Sequence, residues 1–154
     1  AFLVANPGVN SGMMIVQYVA ASLCAENRQL AQPAVLDNYI TSGLQEDHLS
    51  MGTNAALKLH RALENCTQIL AIEYLLAAQA FEFLKEQRFG AGTDVAWRLL
   101  REKVPAYDQD RWLAPDIAAA ASVLKDSNLL HNVLPNLHRK SIYANVPRAG
   151  CPQG

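Results

Sequence analysis

Three titratable side chains, Glu46, Asp47 and His48, follow one another between two segments that have a helical pattern. Thr41-Ser42-Gly43 precedes them, and these residue types hydrogen-bond to their own backbone and favour turns. Such a polar cluster is either a solvated loop or a polar site held on a rigid scaffold. If the loop folds under the bundle, burial and the adjacent Asp47 would raise the pKa of Glu46. That carboxylate can accept a proton or bind a cationic or imidazole-bearing substrate, whereas Asp47 is alternatively a helix cap.

Metal binding and nucleophilic catalysis find little support in the sequence. Consecutive residues on a helix diverge by about 100°, so Glu46, Asp47 and His48 do not easily converge on one ion. His60 and Glu64 are four residues apart and offer at most two ligands, and an exposed helical pair explains them better. The chain contains no HExxH motif, no paired cysteines and no GxSxG motif. We therefore predict no metal site.

The composition indicates one globular domain without a nucleic-acid or membrane partner. The chain has 154 residues and a net charge of -1, so no basic surplus favours nucleic acid or an anionic membrane. Cys24, Cys66 and Cys151 are odd in number and far apart, which suits a reducing compartment. The sequence shows no signal-peptide pattern and no uninterrupted apolar stretch of membrane-spanning length. We predict a cytoplasmic protein.

Two long helices are predicted in the first half of the chain. The first runs from Met13 to about Leu30, capped by Asn10 or Ser11, with one face made by Met14, Tyr18, Ala21, Ala25 and Leu30. The second runs from Ser50 to about Arg88, roughly 55–60 Å, with a stripe made by Leu59, Leu63, Cys66 and Leu70. Residues 69–84 are apolar nearly all round, which requires burial on every side. We therefore expect partner helices from outside the chain, most simply in an oligomer.

Three shorter helices are predicted in the second half. One begins at a Thr93 or Asp94 cap and ends at Lys103, and the next begins at Ala114, with Pro115 at its first position, and ends at Lys125. The last starts at a Ser127 cap and runs through Val133, before Pro135. The predicted fold class is all-α, a bundle of long helices over residues 1–138, followed by a flexible tail at 139–154. Three tyrosines are either acids or packing residues, with packing favoured: Tyr18, Tyr39 and Tyr74.

Four spaced motifs resemble those of the histidine ammonia-lyases, within the aromatic amino acid lyase family. The segment Gln45-Glu46-Asp47-His48-Leu49-Ser50-Met51 is similar to the Gln-Glu-Asp-His-(Val/Leu)-Ser-Met signature of these enzymes. The other motifs agree in the same order, at residues 10–17 (Asn-Ser-Gly-Met-Met-Ile-Val-Gln), 25–34 and 108–117. The likeness covers about residues 1–137.

The resemblance implies a homotetrameric all-helical enzyme in which several subunits contribute to each active site. Its electrophile, a methylidene-imidazolone (MIO) group, forms autocatalytically from Ala-Ser-Gly, and ammonia is eliminated from L-histidine to give urocanate. In the family that tripeptide lies upstream, so this chain resembles a C-terminal portion and is expected to be inactive alone. Thr41-Ser42-Gly43 stands where the family has Thr-Ser-Ala, and we reject it as the electrophile-forming tripeptide.

The resemblance also assigns roles to individual residues. Glu46 matches the active-site glutamate that lies near the amino group and imidazole of the substrate, and Met14 matches a methionine lining the side-chain pocket. Gln45 is a weaker candidate for substrate binding. The chain departs from the pattern at Gln32, where histidine is usual, and at Leu44, where asparagine is usual. The alternatives are a tyrosine or phenylalanine ammonia-lyase, a 2,3-aminomutase of the same family, or a non-catalytic helical oligomerisation module.

Overall fold

The computed structural model describes residues 2–36, 39–46, 49–84 and 90–137. In these ranges the chain forms five helices, which are α1 (Met14–Leu30), α2 (Gly52–Glu82), α3 (Ala91–Arg101), α4 (Ala114–Lys125) and α5 (Asn128–Leu137). Extended pairing in the described ranges is confined to two isolated bridges, Pro7 with Asn10 and Thr41 with Glu46. The all-α prediction is confirmed. The predicted tail at 139–154 lies outside the described residues.

Helix α2 is the central element, and both α1 and α4 pack against it. It contains 31 residues and is therefore about 46 Å long. The helix was predicted to continue to about Arg88, and at Phe83 and Leu84 this prediction is wrong. The amides of these two residues bond to carbonyls only three residues back. This tighter last turn ends the α-helical ladder. The remainder of the predicted extension, residues 85–89, lies outside the described part of the chain.

Two buried clusters form the core, and α2 contributes to both of them. The first contains Val4, Met13, Val16, Ile72, Tyr107 and Leu113. The second contains Ala71, Leu75, Ala78, Leu100, Val104 and Ala120. Alanine in the second cluster, at Ala71 of α2 and Ala120 of α4, is fully buried. Small side chains at a helix contact allow the two helix axes to approach closely.

The short helices agree with the sequence pattern unevenly. Helix α4 begins at Ala114 and ends at Lys125 as predicted, with the proline in its first turn. Helix α3 begins earlier than predicted, after Gly90, so Asp94 lies inside its first turn and pairs with Arg98 at 3.0 Å. A helix N-terminus favours an acidic side chain whether or not that side chain caps it.

Helix α5 corrects two predictions. The capping side chain is Asp126 rather than Ser127, since its Oδ1 accepts the amide N–H of Asn128 at 2.9 Å. The helix also continues to Leu137 with Pro135 inside it. The proline falls in the last turn, where it removes a single bond of the ladder.

Large apolar side chains on α1 and α2 remain exposed. On the predicted α2 stripe, Leu59, Leu63 and Leu70 are 60%, 57% and 54% exposed, and Cys66 is also exposed. On the face predicted for α1, Tyr18 is exposed and Met14 and Leu30 are half-buried, whereas Val16, outside that face, is buried. Within the described ranges, no helix combines the length and apolar character needed to cross a bilayer.

Candidate active site

The segment Thr41–Glu46 forms a tight, exposed turn. The Thr41 amide donates to the Glu46 carbonyl at 2.7 Å, and the Glu46 amide donates back to the Thr41 carbonyl at 3.1 Å. Ser42, Gly43 and Leu44 between them have φ of +53°, +61° and +69°. Three successive left-handed residues reverse the chain within a few residues, which explains why turn-forming types dominate the stretch.

The two candidate residues on this turn, Gln45 and Glu46, are both exposed to solvent. Within the described residues this turn is therefore solvent-exposed and does not fold under the helices. Asp47 and His48 lie outside the described residues. The structure thus presents the Glu46 carboxylate outward, where it is available to a substrate or to another segment.

The stretch that we rejected as the electrophile-forming tripeptide, Thr41-Ser42-Gly43, begins this turn. The carbonyl oxygen of Thr41 accepts hydrogen bonds from the amides of both Gln45 and Glu46. Thr41-Ser42-Gly43 is thus the first half of a hydrogen-bonded turn.

Met14, the third candidate, is the first residue of α1 and is half-buried. No hydrogen bond or ion pair links it to Gln45 or Glu46 in the described part of the chain. The side-chain cap predicted for α1 is wrong, because the helix starts after Met13 without one. Asn10 instead donates from Nδ2 to the carbonyl of Ala5 at 3.2 Å.

The start of α1 is held by a residue that local reasoning from caps did not single out. The amides of Ser11 and Gly12 donate to Oδ2 and Oδ1 of Asp110, at 2.7 and 2.9 Å. These two hydrogen bonds are the main reason that the pKa of Asp110 lies below its ordinary value. Asp110 belongs to one of the four family-like motifs, so a sequence signal for it existed. Its partners, the amides of Ser11 and Gly12, could not be predicted because they are 99 and 98 residues away in the sequence.

Gln79 is a second important residue that the sequence did not point to. Its side chain is buried and bonds to Tyr107 twice, since Nε2 donates to the carbonyl at 3.0 Å and Oε1 accepts the amide at 2.9 Å. Nε2 also donates to the carbonyl of Leu3 at 3.1 Å. One side chain of α2 therefore holds both the N-terminal segment and the loop before α4.

The remaining candidates have structural roles or none that the structure defines. His60 and Glu64 lie 3.5 Å apart on the exposed side of α2, which confirms the helical pair. Tyr74 packs, donating its hydroxyl to the Ala96 carbonyl, and burial raises its pKa. Tyr18 and Tyr39 are both mostly exposed. No cluster of three His, Cys, Asp or Glu side chains suited to a metal occurs among the described residues.

A cleft of about 920 Å³ lies between α1, α2 and α4, and it contains none of the three candidate residues. Its walls include Val16 and Ile117 together with three basic side chains, Arg61, Arg111 and Lys125. Arg61 pairs with Glu26 at 2.8 Å and lowers the pKa of that carboxyl by its hydrogen bond. Arg111 likewise pairs with Asp116 at 2.8 Å.

Comparison with known proteins identifies the family. The profile of the aromatic amino acid lyases matches residues 1–102. The chain belongs to the aromatic amino acid lyase family. Among curated lyases, the histidine ammonia-lyase of Vibrio parahaemolyticus is 47% identical over 141 residues, covering 89% of this chain and 28% of that protein.

Solved structures of aromatic amino acid lyases and their relatives share the fold. Histidine ammonia-lyase from Trypanosoma cruzi superposes with a TM-score of 0.84 at 37% identity, over 90% of this chain and 27% of that one. A tyrosine aminomutase from Streptomyces globisporus superposes with a TM-score of 0.78 at 33% identity, over 89% and 26% of the two chains. The chain thus spans about a quarter of the length of the lyases it matches.

Proposed function

We propose that this chain is the C-terminal part of a histidine ammonia-lyase, which eliminates ammonia non-oxidatively from L-histidine to give urocanate. The observation that carries the proposal is Glu46, an exposed residue on a hydrogen-bonded turn, followed in sequence by Asp47 and His48. The identity of 47% to a relative named histidine ammonia-lyase supports the same conclusion.

The Glu46 carboxylate is the group of this chain that contacts the substrate. It accepts hydrogen bonds only, so it pairs with a protonated amine or with an imidazole N–H. Once other segments cover the turn, exclusion of water strengthens that pairing and favours proton transfer at the carboxylate oxygen. A glutamine at this position retains one acceptor but has neither the charge nor the basicity.

Met14 and Gln45 complete the contribution of this chain to substrate binding. The flexible and polarisable thioether of Met14 suits an apolar wall beside the flat ring of an amino-acid side chain. Gln45 precedes Glu46 on the exposed turn and supplies an amide that can orient the carboxylate or the substrate.

The electrophile comes from outside this chain. The family depends in general on an MIO group, and no Ala-Ser-Gly occurs among the 154 residues. When present, the group supplies an electrophile for elimination of the amino group. None of the described residues is assigned to this group. We also assign no metal to the reaction.

Homotetramer assembly accounts for the exposed leucines of α2. Leu59, Leu63 and Leu70 follow a helical spacing and are each more than half exposed. A continuous apolar stripe of this kind on a long helix needs a partner helix. We assign that partner to further copies of the enzyme and to the remainder of each polypeptide, and we assign the assembly to the cytoplasm.

Two alternatives each have one supporting observation. A tyrosine or phenylalanine lyase or a 2,3-aminomutase is favoured by Leu44, which replaces the usual asparagine two residues before Glu46 and is 80% exposed on the turn. A non-catalytic oligomerisation module is favoured by the exposed α2 stripe alone. Both make predictions that differ from ours for the release of ammonia.

The test is an assay of ammonia release by the full-length lyase with L-histidine, L-tyrosine and L-phenylalanine. We expect preference for L-histidine. The Glu46→Gln variant should lose about 100-fold or more in kcat/KM for L-histidine, the usual contribution of a positioned acid or base. Glu102→Gln, which removes a charge from an exposed position at the end of α3, should retain wild-type kinetics.

Full L-histidine turnover by Glu46→Gln would contradict the role of this carboxylate. Preference of the wild type for an aromatic acid would keep the family and replace the substrate. Absence of ammonia release from all three amino acids, together with intact assembly, would favour a 2,3-aminomutase or the oligomerisation module.

A further inference from the structure

Asp110 binds the N-terminal side of α1 from the other half of the chain. Its carboxylate oxygens each accept one backbone amide, from Ser11 and Gly12, 99 and 98 residues away. Its own amide donates to Oδ1 of Asn10 at 3.4 Å. Two consecutive amides beside a left-handed glycine form an anion-binding concavity, and the carboxylate occupies it. Helix α1 has no acidic residue in its first turn, so Asp110 supplies the negative charge that the helix dipole favours there.

The loop that carries Asp110 is itself held firmly. The hydroxyl of Tyr107 donates to Oδ1 of Asp110 at 3.3 Å and accepts the amide of Arg111 at 3.2 Å. The guanidinium of Arg111 bonds to Asp116 of α4 and to the carbonyl of Ala106, both at 2.9 Å. It also lies 4.9 Å from the centre of the Tyr107 ring. Asp110 is therefore an anchor fixed to α4 rather than a mobile surface side chain.

The segment that Asp110 holds has little freedom to move. Gly12 adopts φ +65°, and a Cβ placed there would lie 2.4 Å from the carbonyl oxygen of Phe2. The next amide, that of Met13, donates to the same oxygen at 2.9 Å. Met13 is buried in the first core cluster, and Met14 follows as the first residue of α1. A shift at Gly12 would therefore be passed directly to Met14.

We propose that Asp110 is a positioning residue for the substrate pocket, acting through the amides of Ser11 and Gly12 to place Met14. The inference rests on the proposed function, because it uses Met14 as a pocket wall. Asp110 should affect KM rather than kcat, because it influences the pocket only through the backbone that precedes α1.

The test compares Asp110→Asn with Asp108→Asn in the full-length lyase. The asparagine keeps one acceptor and points an NH₂ group at the other backbone amide, whereas Asp108 is an exposed carboxylate of the same loop. Loss of one charge-assisted hydrogen bond should raise KM about tenfold at nearly unchanged kcat. Asp108→Asn should leave both constants unchanged. A lower kcat at constant KM, in step with a loss of folded enzyme, would show a purely structural role and overturn the proposal.

A double-mutant cycle with Met14→Ala tests the route of the effect. If Asp110 acts through Met14, Asp110→Asn should raise KM little further once the methionine is absent. Additive effects in the cycle, with Met14→Ala alone raising KM, would overturn this proposal and leave the proposed function intact. No effect of Met14→Ala on KM would overturn both this proposal and the role of Met14 as a pocket wall.

Two further results can be distinguished from failure of the Asp110 proposal: a different preferred substrate, and an Asp110→Asn variant that does not fold. If the wild type prefers an aromatic amino acid, the cycle is measured with that substrate, and only the assignment of L-histidine fails. If Asp110→Asn yields no folded enzyme, Tyr107→Phe replaces it, because it retains the buried ring and removes the hydroxyl that donates to Asp110 and accepts the Arg111 amide. A KM unchanged by Tyr107→Phe would then overturn the proposal.

Discussion

A side chain at a left-handed position can be unfavourable for two reasons, backbone strain and steric overlap with neighbouring atoms. Comparison of Gly12 with Gly43 distinguishes them. Their φ values are nearly equal, +65° and +61°, so alanine should be strained similarly at both. Space differs, because a Cβ at Gly12 would lie 2.7 Å from Cγ1 of Val4, while a Cβ at Gly43 would meet nothing within 4 Å. The backbone requirement is thus common to the two turns, and close approach is specific to the first.

Gly12→Ala should therefore destabilise the enzyme more than Gly43→Ala. We expect about 1–2 kcal/mol at Gly43, the cost of a left-handed alanine. At Gly12 we expect about 1–3 kcal/mol in addition, from forcing atoms into a packed site. Urea denaturation of the two variants measures the difference, and equal losses would contradict the steric argument.

At the scale of the elements, the sequence predicted a helix end correctly where that end is determined by residues adjacent to it in the sequence. Helix α4 follows from Pro115 and the Ala-rich run after it, because the first-turn preferences of proline are local. The start of α1 does not follow from Asn10 or Ser11, since the side chain that binds there is Asp110. The burial of Gln79 in α2 could not be predicted either, because this polar side chain is satisfied by Leu3 and Tyr107, which are distant in the sequence. The Glu46 turn was found by its residue types, and we propose that other parts of the enzyme cover it.

Gln79 offers a test of how elements are joined. Gln79→Leu keeps a similar volume but leaves the carbonyls of Leu3 and Tyr107 and the Tyr107 amide without this partner. Buried unsatisfied groups cost about 1–3 kcal/mol each, so we expect a loss of at least about 3 kcal/mol in the free energy of unfolding. Gln68→Leu, on the same helix and half-buried at the cleft, is the matched control. Similar losses for the two variants would show that the Gln79 hydrogen bonds are unimportant.

At the scale of the whole molecule, the exposed leucines of α2 predict the assembly state. Leu63→Lys places a charge in the middle of the stripe, and burying it against a second apolar helix would be strongly unfavourable. We expect the variant to sediment as species smaller than the proposed tetramer. Leu130→Lys, at an α5 position that is 65% exposed, should leave the assembly intact. An unchanged tetramer in Leu63→Lys would remove this stripe from the interface.

The bonds from Asp110 to Ser11 and Gly12 also bear on the order in which the protein is made. During synthesis Gly12 is complete 98 residues before its acceptor exists. At the usual pace of translation, about 5–20 residues per second, that interval is roughly 5–20 seconds. For all but the last few residues of it, the segment before α1 has neither the Asp110 carboxylate nor the Tyr107 ring to hold it. On the proposed role of Asp110, Met14 is placed only after the ribosome has passed the start of α4, so a part of the proposed pocket that is made early in sequence is set late in time.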